Sequence, residues 1–429
     1  MRFVWPQAIA VVALAASLCA TALAQSSRQD PSAEPLVFAL LSLADAEKNA
    51  LASSPDVVAA DARLAQSRYA LAAARAGFAP SLVSSYAQLP QGNPPGPTIV
   101  SRQVTAGLQL TLGDLVARAP AVREAGYALA ASEADRGAAL ATERVKVVGL
   151  YYDALRARAV AGARREALAL ANSQFRAAQI RTRAGDAPHL DLLRADVAVA
   201  KATADLETAT ADDANATEAL RAESGAAPTA LETTQTTDLS GIDASPIDPS
   251  VAVARARATR PELRAAALAI EAARASVRSA RAAGFPPITV GGGYLIGTDS
   301  GVPIRAPTIN AQITIPLSSA NDDRVAIAEA KVVEARARAA ALERTIVLDV
   351  AASARTLAAS ARVVVATTRA RTSAEAERRA TELGYRNGVS SSLELTSARA
   401  AYSQAVVDEL SARYDMEKAR ATLEIEVGK

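Results

Sequence analysis

Gln103-Val104-Thr105-Ala106-Gly107-Leu108-Gln109-Leu110-Thr111-Leu112 decides how this chain is read. Val104, Ala106, Leu108, Leu110 and Leu112 alternate with Gln103, Thr105, Gly107, Gln109 and Thr111. That period of two gives a strand one apolar face and one polar face, and here the polar face carries no charge. The pattern returns at residues 308–317, where Ile309, Ala311, Ile313, Ile315 and Leu317 alternate with Thr308, Asn310, Gln312, Thr314 and Pro316. A weaker strand precedes each: Leu82 and Tyr86 mark one, and Ile288, Val290, Tyr294 and Ile296 form a face around Gly291-Gly292-Gly293 in the other. The paired strands are expected at about 81–112 and 288–317. Each strand is about ten residues long, the length that crosses a bilayer when tilted. Faces of this kind suit lipid on one side and a water-filled lumen on the other. The alternative is an ordinary two-layer sheet on a helix. The joining segments, Pro90 to Arg102 with Asn93-Pro94-Pro95-Gly96-Pro97 and Gly297 to Ala306, are polar flexible tips and favour a barrel. Four strands cannot close, yet a spanning sheet must, because an open edge in lipid leaves backbone groups unsatisfied. The chain therefore has to oligomerise, and three copies would supply twelve strands.

The strand pairs belong to a duplication. Ser54-Pro55-Asp56-Val57-Val58-Ala59-Ala60 recurs as Arg260-Pro261-Glu262-Leu263-Arg264-Ala265-Ala266. Arg75-Ala76-Gly77-Phe78-Ala79-Pro80 recurs as Arg281-Ala282-Ala283-Gly284-Phe285-Pro286-Pro287. Gly185, Leu190, Asp191 and Leu192 match Gly388, Leu393, Glu394 and Leu395, and Gly225 matches Gly428. With the strands included, the displacements are 206, 206–207, 205, 203 and 203 positions. A unit this long is no solenoid repeat; it is one large unit used twice. Each unit reads as helix, two strands, very long helix, helix. In the second, Pro261 opens a helix that runs to about Arg281 and stops at Gly284 and Pro286. From Asp323 to Leu383 no proline or glycine interrupts 61 residues, a helix of about 90 Å. Val325, Val332, Ala339 and Ile346, then Val350, Leu357 and Val364, mark a coiled-coil-like seam spaced by seven.

Composition agrees. The 429 residues are 50% hydrophobic but only 3% aromatic, with alanine supplying much of the apolar total. Alanine suits close packing of long helices more than a bulky core. Lys+Arg 47 against Asp+Glu 45 leaves a net charge of +2, which gives no nucleic-acid footprint. One Cys excludes a disulfide scaffold, and one His, His189 beside Pro188, has no partners for a metal or a catalytic base. No enzyme activity, metal or cofactor is expected. Arg2, the apolar run Ala8–Ala20 and Ala22-Leu23-Ala24 read as a signal peptide over 1–24. Leu18 before Cys19 speaks against lipidation. The expected organisation is then 1–24 signal, 25–225 first repeat, 226–255 linker with Pro228, Pro246 and Pro249, and 256–429 second repeat.

Together these residues resemble the TolC family of outer membrane efflux channels. The resemblance rests on Leu43-Ala44-Asp45-Ala46-Glu47-Lys48-Asn49-Ala50 followed by Ser54-Pro55, the Phe-(x)-Pro before each hairpin, the duplication, and Tyr385-Arg386-Asn387-Gly388-Val389-Ser390-Ser391-Ser392-Leu393-Glu394-Leu395. It covers nearly all of the mature chain. It implies a mainly α fold with a small β part: a homotrimer of long antiparallel coiled-coil helices forming an α-barrel in the periplasm, joined to a 12-stranded β-barrel in outer membrane lipid. It also implies an inner-membrane transporter and a periplasmic adaptor docked at the far tip, in a tripartite efflux or type I secretion system. The second possibility is a soluble periplasmic adaptor or structural coiled coil without a barrel.

The resemblance gives the two helix turns their roles. Gly185, Asp186 and Ala187 in the first, and Asn387, Gly388, Val389 and Ser390 in the second, become tips that touch the adaptor. Asp191 and Glu394, just after the turns, become carboxylate rings at the periplasmic pore constriction, although each also fits a solvated helix-start acid. Tyr385, Arg183 and Arg386 become candidates for the latch, with Asp191. Two departures stand out: a second acid of some members is Ser397 here, and a latch base of some members is Ser390.

Overall fold

A computed structural model describes residues 40–76, 79–91, 99–225, 230–231, 248–299, 302–315 and 319–428. The signal segment with Cys19, the Asn93-Pro94 tip, Phe78 and most of the expected linker lie outside the described residues. The elements run β1 (Leu40–Leu41), α1 (Leu43–Ser53), α2 (Pro55–Ala76), β2 (Ser81–Gln91), β3 (Ile99–Thr111), α3 (Leu112–Ala184) and α4 (His189–Ser224). Then come β4 (Ala230–Leu231), α5 (Pro249–Thr259), α6 (Pro261–Ala282), β5 (Ile288–Asp299), β6 (Val302–Ile313), α7 (Ala320–Arg386) and α8 (Ser392–Glu426). The two halves match in length: α1 and α5 have 11 residues each, and α2 and α6 have 22 each.

The long helix of the second half exceeds the sequence expectation, and its counterpart in the first half is longer still. α7 has 67 residues and α3 has 73, or about 100 and 110 Å. All seven seam positions of α7 turn inward, with Ile346, Val350 and Val364 fully buried and the others half-buried. One difference concerns the start of each half. The sequence pattern predicts one helix before each strand pair; the structure has two. α5 lies at the end of the stretch read as linker, where Pro249 occupies the first helical turn and Asp248 caps it, accepting from the Ser250 N–H at 2.8 Å. Proline at that position has no N–H to lose and starts the helix rather than breaking it.

Packing forms a single curtain of helices. α3 packs on α2 and α4 on one side and on α6 and α8 on the other, and α7 packs on α5, α6 and α8. The curtain therefore ends in α7 at one edge and in α2 and α4 at the other. The sheet ends the same way. Its order is β2-β3-β5-β6, all antiparallel, so β2 and β6 are its edges. β2 follows α2 and β6 leads into α7, so strands and helices open on the same two sides.

Two small cores hold the helices together midway, and they are copies of one another. In the first, Ala46 and Ala50 of α1 meet Val147, Val148 and Tyr151 of α3, Leu220 of α4 and Tyr414 of α8. In the second, Ala252 and Ala256 of α5 meet Ile346, Val350 and Ala354 of α7 and Leu423 of α8. Small side chains let these helices pack closely. A parallel pair, β1 on β4, adds to the first core, where the Tyr151 hydroxyl donates to the Leu41 carbonyl at 3.2 Å.

A polar knot pins the first core. The Ser54 hydroxyl, between α1 and α2, donates to the buried Glu143 carboxyl of α3 at 2.9 Å. Glu223 of α4 pairs with Lys146 at 2.7 Å. Burial, then the neighbouring Glu223 carboxylate, pushes Glu143 above the usual carboxylate range, while Lys146 holds Glu223 below it. A group whose folded pKa is raised stabilises the fold at low pH and loses that contribution as pH rises through the folded value. Glu143→Gln is therefore expected to remove part of the fall in thermal midpoint on raising pH, without destabilising the protein at neutral pH. Glu223→Gln breaks the half-exposed pair with Lys146 and should cost up to about 1 kcal/mol. Circular dichroism melts of the helices across pH check both.

Candidate functional site

The sheet comes first because its two faces are so unlike. Strand alternation and register place Leu82, Tyr86, Val104, Leu108, Val290, Tyr294, Ile296, Ile309 and Ile313 on one face. All are solvent-exposed in the single chain, Ile309 to 89% and Leu82 to 77%. An apolar sheet face with nothing packed on it is not a water-facing surface. The opposite face carries Gln103, Thr105, Gln109, Thr308, Asn310 and Gln312. Gly107 faces Gly293 there across β3 and β5. A Cβ on Gly293 would lie 2.7 Å from the Ala106 carbonyl, so these glycines let the strands coil closely. Among the described residues no helix is long and apolar enough to cross a membrane; the sheet alone offers the length and the face.

The tip is built by two matched turns. Gly185 ends α3 at φ 83, and Gly388 follows α7 at φ 74, left-handed values that favour glycine. The Gly388 turn is tightened by Val389 and Ser390, whose N–H groups donate to the Gly384 carbonyl at 2.8 and 3.2 Å. Gly185, Asp186, Asn387, Gly388 and Val389 are exposed, whereas Ala187 and Ser390 are half-buried. Val389 in the second turn is 84% exposed, and Leu393 and Leu190, near the starts of the helices that leave the turns, are 57% and 52% exposed. The tip thus exposes apolar side chains.

The predicted acids separate. Asp191 on α4 is half-buried and tied to the other hairpin: it accepts from the Ser392 hydroxyl of α8 and pairs with Arg194 at 3.6 Å. Arg194 also donates to the Ser392 hydroxyl at 3.2 Å. Glu394 is exposed and completes a capping box, its carboxylate accepting from the Ser391 N–H at 2.8 Å. The predicted latch residues do not come together in the single chain. Tyr385 lies under the Arg181 guanidinium, 5.2 Å from ring centre, rather than against Arg183 or Arg386. Arg386 pairs with Glu382 at 3.3 Å, and Arg399 joins the same carboxylate. Sequence reading missed Arg181, Arg194 and Ser392. Only the Asp191–Arg194 spacing of three was visible as a local signal. His189 is an exposed first residue of α4, and among the described residues no cluster of His, Cys, Asp or Glu could hold a metal.

Known proteins place this geometry. A search of curated proteins finds no match. Among solved structures, CusC is similar at TM-score 0.78 and 19% identity, over 91% of this chain and 93% of that one. The Campylobacter jejuni CmeC outer membrane channel matches at 0.78 and 16%, over 90% and 85%. The open-state Neisseria gonorrhoeae MtrE outer membrane channel matches at 0.71 and 21%, over 90% and 88%. At these identities the likeness shows the fold. It leaves the soluble adaptor or structural coiled coil without support. The family model described as outer membrane efflux protein matches residues 47–226 and 252–428, one stretch in each half of the duplication. With an apolar strand face left bare, paired helical hairpins reaching to glycine turns, and the family model matched in both halves, this chain belongs to the outer membrane efflux protein family.

Proposed function

We propose that three copies of this chain close into a passive conduit through the outer membrane, and that its helical end is a gate opened by partners. The observation that carries the reading is the coincidence of open edges: β2 with α2 and α4 on one side, β6 with α7 on the other. A head-to-tail ring joins β6 of one copy to β2 of the next and α7 of one to α2 and α4 of the next, in a single motion. Three copies bring twelve strands, enough for a barrel with an open lumen. Charge supports the same seam. Arg355, Arg362 and Arg369 form an exposed stripe on α7, and Asp196, Glu207 and Asp212 are exposed on α4; among the described residues none has an ion-pair partner within the chain. The helical curtain becomes the periplasmic wall. The polar sheet face becomes the lumen, uncharged over most of its length and so indifferent to solute charge.

The tip then acts as the gate and the dock. The exposed apolar side chains of Val389 and Leu393 fit a periplasmic adaptor, whose own partner is an inner-membrane transporter that supplies the energy. Three Glu394 carboxylates would ring the constriction. Asp191 is proposed to serve differently from a free ring acid: with Ser392 and Arg194 it ties the first hairpin to the second. Arg181 stacked on Tyr385 is a second such tie, worth about 1 kcal/mol. Dilating the tip separates both pairs. The reading extends to no particular solute, since such a lumen is shared hardware and selection belongs to the transporter.

Two outcomes test the gate in planar bilayers. Glu394→Gln should weaken block by multivalent cations added on the helical side, and unchanged block would remove Glu394 from the pore. Arg181→Ala combined with Ser392→Ala should raise the open-channel conductance or open fraction above wild type, while Arg183→Ala should not. Equal behaviour of both variants would take the latch away from these contacts.

A further inference from the structure

We propose that the outward face of the sheet carries a site for a phosphorylated lipid of the outer leaflet, built by Arg102 and Arg305. The inference rests on the membrane reading above and adds a ligand to it. Strand alternation places Arg102 on the face of Val104 and Leu108, and Arg305 on the face of Ile309 and Ile313. These are the only cations in residues 79–112 and 285–318, and the only acid there is Asp299. Both guanidinium-bearing residues are exposed. Among the described residues neither has an ion-pair or hydrogen-bond partner. Trimer closure does not change this, because the strand that would come to lie beside β6 is β2, which has no acid.

A lone arginine on a lipid-facing barrel surface costs about 2–4 kcal/mol at mid-bilayer but little near the interface. The register puts both at the interface. Arg102 lies opposite Gln88 on β2 and Thr298 on β5, next to the hairpin ends. Arg305 lies opposite Ile296, one outward step lower. Below them the apolar face runs on through Leu108, Val290 and Ile313. The two tyrosines of the face stand on neighbouring outward rungs: Tyr86 opposite Val104, on the rung of Arg305, and Tyr294 opposite Ala106 and Pro307, one outward step lower. Tyr86 points its hydroxyl at Gln88, donating to Oε1 at 3.1 Å. Aromatic residues gathered on these adjacent outer rungs mark the headgroup level.

Donors therefore gather with no carboxylate among them: two guanidinium groups, with the Thr298 hydroxyl on the strand between them and the Gln88 amide on the far side of Arg102. Arg102 and Arg305 are two strands and one outward step apart, about 12 Å between their α-carbons. Extended arginine side chains from that spacing can each take one phosphate of a bis-phosphorylated glycolipid, or close on a single phosphate, with bidentate charge-assisted bonds. An occupant that is membrane-embedded satisfies both the charge and the apolar face beneath it, where its acyl chains would lie along Leu108 and Ile309. A free phosphate satisfies only the charge. The site is thus assigned to lipid A-type headgroups rather than to soluble anions.

Native mass spectrometry of the detergent-purified trimer, titrated with bis-phosphorylated lipid A, with its dephosphorylated form and with inorganic phosphate, tests the assignment. Wild type should retain the bis-phosphorylated lipid, up to three per trimer. The dephosphorylated lipid should bind far more weakly, and millimolar phosphate should not compete. Arg102→Gln with Arg305→Gln should weaken retention about thirtyfold, a factor of about five for each charge. Arg102→Lys with Arg305→Lys should keep part of it. Equal retention by the glutamine variant, or by the dephosphorylated lipid, would overturn the site. Full competition by phosphate would overturn its assignment to lipid. The variants must run as heat-modifiable trimers in outer membrane fractions; a wild type that fails this would instead overturn the channel reading.

Discussion

The unpaired backbone at the two edges of the β2-β3-β5-β6 sheet governs everything else in this molecule. In water an open edge is a hazard; in hydrocarbon each unsatisfied N–H or C=O costs several kcal/mol, and a sheet of four strands has two such rows. The chain has no long apolar helix among its described residues to span in the sheet's place. The edges must therefore be paired by other copies. Once that is required, the rest follows in order. The helices that continue from the edge strands have to open on the same sides as the strands, and they do. The faces of the sheet have to be opposite in polarity, and they are. Exposed Ile309, Leu82 and Tyr86, which would be faults on a soluble protein, become the surface in contact with lipid.

The helical part obeys a different economy. Helices of 67 and 73 residues cannot be stabilised by one thick core, because a wall around a lumen has no thickness to fill. Stability is spread instead along alanine-rich seams, with two small cores midway, where the ends of short helices would otherwise leave gaps. Ala46, Ala50, Ala252 and Ala256 are buried to the last few per cent of their surface, and any larger side chain there would push whole helices apart. Along the seams the charged residues pair within and between helices, as Arg378 and Arg399 do with Glu382 and as Arg371 and Arg413 do with Glu409. Such pairs contribute little individually, but they fix which helix faces which. The cores lie at mid-height, while the tip is tied by polar and ring contacts such as Asp191–Ser392 and Arg181–Tyr385.

Much of the fold was legible because its signals are periodic. Alternation over 103–112 and 308–317 located β3 and β6 but not their bounds. β6 runs Val302–Ile313, Leu112 already begins a helix, and most of Gly297 to Ala306, with Pro90 and Ile99 to Arg102, read as flexible tips, is strand. An unbroken run from Asp323 located most of α7. The duplication was legible because glycine and proline leave unmistakable punctuation, and Gly185 with Gly388 and Gly225 with Gly428 are indeed the four described glycines at positive φ. The helices α1 and α5 were harder. They are short, and Pro249 in a polar stretch reads as a break unless its place in the first turn is known. The tip was legible as a turn and obscure as a mechanism. Glu394 sits in Ser391-Ser392-Leu393-Glu394, a capping-box pattern visible in the sequence. The Asp191–Ser392 bond was invisible, since its partners are 201 residues apart and meet only after both hairpins pack. Contacts between copies are a further step removed, and only their edges and charges are written in one chain.

The central claim is that β6 of one copy pairs with β2 of the next. Cysteines introduced singly and in pairs along β2 and β6 on the outward face, for example at Ser84 and Ile309, provide the direct measurement in oxidised outer membranes. The account predicts that chosen β2–β6 pairs yield covalent dimers and trimers and nothing larger, while single-site variants stay monomeric on denaturing gels. β2–β2 linkage, or monomers from every pair along both strands, would contradict it.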